Sequence, residues 1–196
     1  PPFIATLGAM KILRSVTQQF MQSSSPKVPT GFQQIARVKV GGQMFMPILY
    51  WLLIALVLYI VSKKTVFGRH VFAVGSNEKT SRLSGINVNR VKLGVYALMG
   101  AVVAIAAVLQ VSRIGAMDPA NAGSGYELDS IAAVIVGGTS MSGGKGSVVG
   151  TVFGMLIIAV MNNLLNLLGV PPFLREAFKG AIIIAAVLLQ RKSSDN

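Results

Sequence analysis

The sequence predicts an all-α fold, a polytopic transmembrane helical bundle with one broken or re-entrant segment. Three observations point there. Charged residues make up only 12% of the 196, about half the roughly 25% of soluble domains. Mean hydropathy is +0.65. Residues 45–61 and 93–111 are long apolar runs with no charge at all. A helix needs about 20 such residues to cross a hydrocarbon core about 30 Å thick. The same figures exclude a disordered chain, a collagen and a nucleic-acid-binding tail.

The remaining elements follow in chain order. Residues 2–20 read as the end of a helix interrupted by Lys11 and Arg14. Residues 21–43, with SSSP, PTG and GGQ, read as an extramembrane loop. Residues 45–61 form the first span, with Tyr50, Trp51 and Tyr59 as interface anchors. Residues 93–111 form the second, and Gly94, Ala97, Gly100, Ala101 and Ala104 suit close packing inside a bundle. The apolar piece that starts at Leu128 is too short to cross as a straight helix, so 128–141 reads as a broken crossing lined by protein. Residues 147–168 form a further span. It is introduced by Gly146, Gly150 and Gly154 at four-residue spacing, a helix-packing face. Residues 177–190 form the last, short unless Lys179 reaches an interface. Together these make one transmembrane domain over 1–196. The start at Pro1, with no charged leader, reads as a processed chain or as a fragment whose front is missing.

Charge sets the expected orientation. The formal net charge is +12, from 18 Lys and Arg against 6 Asp and Glu. Lys63, Lys64, Arg69, Lys79, Arg82, Arg90 and Lys92 all fall within 62–92, opposed only by Glu78. That loop is therefore expected to be cytoplasmic, as is the tail with Arg191 and Lys192. An even number of crossings must separate them, and the four segments above supply it. The same parity puts 21–43 outside despite Lys27, Arg37 and Lys39. A hairpin at 128–141 would instead put the tail outside. Anionic lipid headgroups account for the cations without nucleic acid.

Chemistry is sparse. There is no cysteine and a single histidine, His70, so no disulfide, thiolate or histidine-cluster metal site is expected. No nucleophile has a partner base, so no catalytic residue is assigned. GGTSMSGGKG at 137–146 misses the phosphate-loop pattern, because Thr139 and Gly146 stand where Gly and Ser or Thr are required. It reads as a tight turn with close backbone packing. GSGYEL at 123–128 lacks the third glycine of a dinucleotide fingerprint.

Two constellations remain. GSNEKTSRLSGI at 75–86 reads as a two-turn helix marked at both ends. Ser76 or Asn77 caps its start, Glu78 and Arg82 match the helix dipole, and Gly85 suits the left-handed terminus. It is either a solvated surface helix or a rigid knob for a cytoplasmic partner. Glu127 and Asp129 flank Leu128 at the mouth of the broken segment, as a hydrated mouth or an acid/base pair. Asn162, Asn163 and Asn166 are costly in hydrocarbon and mark either interhelical hydrogen bonds or a solute pathway.

The blocks GRHVFAVGSNEKTSRLSGINVNRVK at 68–92, GSGYELDSIAAVIVGGTSMSGGKGSVVGTVFG at 123–154 and NNLLNLLGV at 162–170 fall in one order, with PFIATLGAMKILR at 2–14 before them. The chain resembles the permease subunits of bacterial ABC sugar importers of the ribose, xylose, galactose and inositol type. That resemblance implies a multi-pass inner-membrane subunit that pairs with a second copy of itself. It implies a cytoplasmic ATPase, which would hold the ATP and magnesium, and a periplasmic sugar-binding protein. No cofactor is then expected in this chain. It further implies that Gly75, Asn77, Glu78, Arg82, Leu83, Ser84 and Gly85 form the coupling helix that meets the ATPase. Gly137–Thr139, Gly143–Gly146 and the stretch with Tyr126, Glu127 and Asp129 would lie near the translocation path, with the asparagines as further candidates. Thr80 and Leu164 depart from the family's usual small residues, and the family's extra length implies missing first helices. The alternatives are a branched-chain amino-acid ABC permease and an inactive truncated remnant. A secondary transporter fits less well, since no intramembrane ionisable pair is evident.

Overall fold

A computed structural model describes residues 2–21, 27–38, 45–119, 121–171, 174–175, 177–178, 180–182 and 184. Among the described residues all regular structure is α-helical. The helices are α1 (Pro2–Met21), α2 (Thr30–Arg37), α3 (Met46–Lys64), α4 (Val66–Ser76), α5 (Glu78–Leu83), α6 (Val88–Ile114), α7 (Tyr126–Val136) and α8 (Val148–Leu167). Three of them, α3, α6 and α8, are long and apolar enough to cross a membrane, with mean hydropathies of 1.9, 2.1 and 2.1. The expected span at 177–190 and the tail cations Arg191 and Lys192 lie mostly or wholly outside the described residues. The chain divides into two compact units. One comprises the residues up to Trp51 with Gly100–Ser124, the other Leu52–Met99 with the residues from Gly125 onward.

In the first unit, α1 runs without a break through Lys11 and Arg14. The expected interruption is corrected, because lysine and arginine are good helix formers and their charge alone does not end a helix. Arg14 Nη2 donates to the carbonyl of Ala122, 3.2 Å away. The loop expected over 21–43 also needs correction, since Thr30–Arg37 is helical. Eight residues are too few to hold a helix alone, and the end of α6 supplies the rest. Ser112 is fully buried. Its Oγ accepts from the Ala36 amide at 2.9 Å and donates to the Phe32 carbonyl at 2.9 Å. Arg37 donates from Nε to the Arg113 carbonyl and from Nη2 to the Ile114 carbonyl, both at 3.0 Å. Those carbonyls belong to the last turn of α6, which has no intrahelical donor and gains from a cation. Ser112→Ala is expected to remove the buried bridge to the Ala36 amide and the Phe32 carbonyl, destabilising the α2–α6 contact by about 1–3 kcal/mol. Faster hydrogen exchange over Phe32–Arg37 is the measurement; unchanged protection would contradict it.

In the second unit, α3 ends in a corner. Thr65 Oγ1 donates to the Val61 carbonyl at 2.6 Å and accepts from the Gly68 amide at 3.1 Å, so one side chain closes one helix and caps the next. Helix α4 then folds across the start of α6. A β-carbon at Gly94 would stand 2.8 Å from Cε2 of Phe67. The expected 93–111 span is part of a longer helix, since α6 runs for 27 residues, about 40 Å at 1.5 Å per residue.

Helices α7 and α8 form an antiparallel hairpin. Their cores meet through Ala132, Ala133 and Ile158, with Val136, Met161 and Ile182 around them. Main chain touches main chain here. A β-carbon at Gly154 would collide with the Ala133 carbonyl and stand 2.9 Å from the Gly137 amide. One at Gly150 would collide with the Gly137 carbonyl. Small residues allow this approach, which dispersion and close packing favour inside lipid. Gly146 does not belong to that face. It precedes Ser147, the N-cap of α8, and a β-carbon there would meet the Thr139 side chain at 3.1 Å.

Candidate functional site: the α4–α5 elbow and the α7–α8 hairpin

The elbow is built by caps. Helix α4 carries the chain through Gly75 and Ser76, and the short helix starts at Glu78, in the first turn where the sequence places it. Asn77 is both the last cap of α4 and the first of α5. Its amide donates to the Ala73 carbonyl, and its side chain accepts from the Thr80 amide at 3.0 Å. Of the two capping candidates, Asn77 therefore does the capping. Ser81 is 5% exposed and donates to the Asn77 carbonyl at 2.9 Å. Ser84 closes α5, and Gly85 takes the left-handed conformation with φ 82°.

Glu78 ties this short helix to α6. Its carboxylate accepts from Lys92 Nζ at 2.7 Å and from Arg82 Nη2 at 2.9 Å. The Lys92 and Arg82 hydrogen bonds hold the Glu78 carboxyl below its usual 4.5. A depressed carboxylate contributes while ionised and loses that contribution only as pH falls through its folded value. The α5–α6 tie is thus expected to persist unchanged from neutral pH to the ordinary carboxylate range and to release only below it. Titrating an environment-sensitive label on α5 tests this, with Glu78→Gln expected to remove the acid step. A release near neutral pH would contradict it.

These pairings leave Leu83 alone at the end of α5. It is 90% exposed, a large apolar side chain on a helix otherwise lined by Glu78, Lys79 and Arg82. The elbow also receives the 137–146 loop. That loop is pinned by the Ser140 amide on the Lys145 carbonyl at 3.0 Å and the Gly143 amide on the Ser140 carbonyl at 3.1 Å. Its tip lies on the elbow. A β-carbon at Gly75 would stand 2.9 Å from the Gly144 amide nitrogen, and one at Gly144 would stand 2.9 Å from Cα of Ser76.

At the other end of the hairpin, the register follows from two contacts. Ala133 meets Gly154 and Gly137 meets Gly150, so Tyr126 lies level with Met161. Asp129 sits one turn before Ala133, on the side facing α8. Asn162 sits one turn beyond Ile158 and is half-buried, its Oδ1 shielded from solvent with no hydrogen-bond partner. The other path candidates separate from these. Tyr126 and Glu127 are exposed, and Asn163 lies on the exposed side of α8. Asn166 accepts from Arg175 Nη1 at 3.1 Å. Arg175 as a partner of Asn166 had no signal in the sequence. Among the described residues no group of His, Cys, Asp and Glu could hold a metal ion.

The ribose import permease protein RbsC of Bacillus subtilis (strain 168) is 44% identical over 98% of this chain and 60% of its own length. The protein of the same name from Escherichia coli (strain K12) is 42% identical over 97% of this chain and 60% of its own. The xylose transport system permease protein XylH of Haemophilus influenzae is 46% identical over 72% of this chain and 37% of its own. The chain thus spans about three-fifths of the length of the ribose permeases it matches. No solved structure matches it. The model of the family described as branched-chain amino acid transport system / permease component matches residues 1–187, and the chain, a helical membrane protein, belongs to that family.

Proposed function

We propose that the chain is the larger part of the permease subunit of an ATP-binding-cassette importer, one that carries a monosaccharide or related polyol across the bacterial inner membrane. The solute class follows the ribose and xylose permeases it is similar to. The observation that carries the mechanism is Leu83, 90% exposed at the end of a helix that caps and ion pairs hold rigid. Leu83 is the most exposed large apolar side chain among the described residues, and in this reading it is the docking point. Here the occupant is the cytoplasmic ATPase subunit, which supplies ATP hydrolysis that this chain does not perform. The elbow faces the cytoplasm, since its cations are the densest in the chain. The α2 clamp then faces the periplasm, where a sugar-binding protein delivers the solute, and a second permease copy completes the passage.

Transport proceeds by alternating access, with ATP binding moving the elbow and the elbow rocking the bundle. Asp129 and Asn162 offer hydrogen-bonding groups to an uncharged solute on its way, while specificity rests with the binding protein. The complete permease with Leu83→Asp, purified with its ATPase, tests the reading. Loss of ATPase association and of uptake is expected; undiminished association overturns the assignment of α5.

A further inference from the structure

Building on the coupling role proposed for α5, we infer that the Gly143–Gly144 turn is the positioning element through which the elbow moves the α7–α8 hairpin. The turn lies with main chain against main chain on Gly75 and Ser76, at the base of the coupling helix. Three glycines create the fit. A β-carbon at Gly75 would be 2.9 Å from the Gly144 amide nitrogen. One at Gly143 would collide with the Gly75 carbonyl and be 3.1 Å from its carbon, and one at Gly144 would be 2.9 Å from Cβ of Ser76. Gly143 and Gly144 also hold φ of 86° and 75°, a region other residues rarely adopt.

The turn is stiff on its far side as well. The Ser140–Lys145 and Gly143–Ser140 hydrogen bonds close it, and Ser147 caps α8 directly after it, accepting from the Gly150 amide at 3.2 Å. Gly137–Gly150 and Ala133–Gly154 then lock α7 to α8. A displacement of the elbow therefore meets no compressible side chain before it reaches the helices that carry Asp129 and Asn162. Main-chain contact suits this task, because packed interiors transmit displacement with little give.

The test uses the complete permease reconstituted with its ATPase and binding protein. It reads solute taken up per ATP hydrolysed, with radiolabelled ribose or xylose, whichever the unsubstituted protein moves. Gly75→Ala places a β-carbon against the turn in a residue that favours helix α4. Gly144→Asn does the same from the other side, with a residue that tolerates the left-handed backbone. Gly169→Asn is the matched control, since Gly169 has φ 71° and nothing within 4 Å of its β-carbon position. Both elbow variants are expected to assemble and hydrolyse ATP while solute per ATP falls about tenfold, an ordinary coupling energy. The control should behave as the unsubstituted protein. An equal ratio in all three overturns the inference. So does loss of assembly in both elbow variants with the control intact, because the contact would then only hold the fold. Failure of the coupling reading itself shows separately, as ATPase still bound to Leu83→Asp.

Discussion

Gly154→Leu is expected to separate α7 from α8 and to lower the thermal stability of the permease sharply. The β-carbon alone would collide with the Ala133 carbonyl and stand 3.0 Å from the Ala133 carbonyl carbon. Both obstacles are main chain, so no rotamer change relieves them. Overpacking in a close-packed interior costs about 1–3 kcal/mol where side chains can yield, and more where they cannot. Helix α7 has 11 residues and its buried positions are Ala132, Ala133 and Ile135, so α8 is its principal support. Lipid offers no hydrophobic penalty for separated apolar helices, which leaves close packing to hold them together. Gly100→Leu is the comparison. Nothing lies within 4 Å of a β-carbon at Gly100, and leucine favours a helix more than glycine does. Thermal unfolding in detergent should show a large drop for Gly154→Leu and little change for Gly100→Leu. Matching midpoints would refute the packing account.

Leu83→Asp is expected to weaken ATPase association at least about a hundredfold, near 2.7 kcal/mol or more. Burying a leucine in a partner contributes about 1.5–3 kcal/mol, and a carboxylate in the same apolar site adds a desolvation cost. Nothing else in α5 should change, because Asn77, Ser81 and Glu78 hold the helix without Leu83. Glu78→Gln should matter far less for association. Its carboxylate serves Arg82 and Lys92 within its own chain, and exposed ion pairs contribute about 0–1 kcal/mol. Pull-down of the ATPase by each variant separates the two; equal retention by Leu83→Asp and the unsubstituted permease would sink the docking role of Leu83.

The long helices were readable because nothing interrupts them. Residues 45–61 and 93–111 carry no charge, and an unbroken apolar run of that length has few other stable states. The elbow's ends were readable for a local reason too, since Asn77 and Gly85 suit conformations that few residues adopt. Helix α4 was hidden because Arg69 and the cations around it signal the side of the membrane and say nothing for or against a helix. Helix α2 was hidden because its stability resides in Ser112, Arg113 and Ile114, some 76 residues away by the Ala36–Ser112 bond. The seat of Gly143 and Gly144 on Gly75 was hidden in the same way. A glycine announces that something comes close, but not what. Polarity alone does not tell Asn162, half-buried on the side of α7, from Asn163, exposed on the other side of α8.

One trait of these contacts bears on how the protein tolerates change. Where carbonyls and amides form the touching surface, as at Gly75–Gly144, Gly137–Gly150 and Ala133–Gly154, the neighbouring side chains take no part in the seam. Met141, Ser142 and Lys145 point outward beside it. Random drift can rewrite those three positions freely while each glycine stays frozen, so variability and invariance should alternate there almost residue by residue.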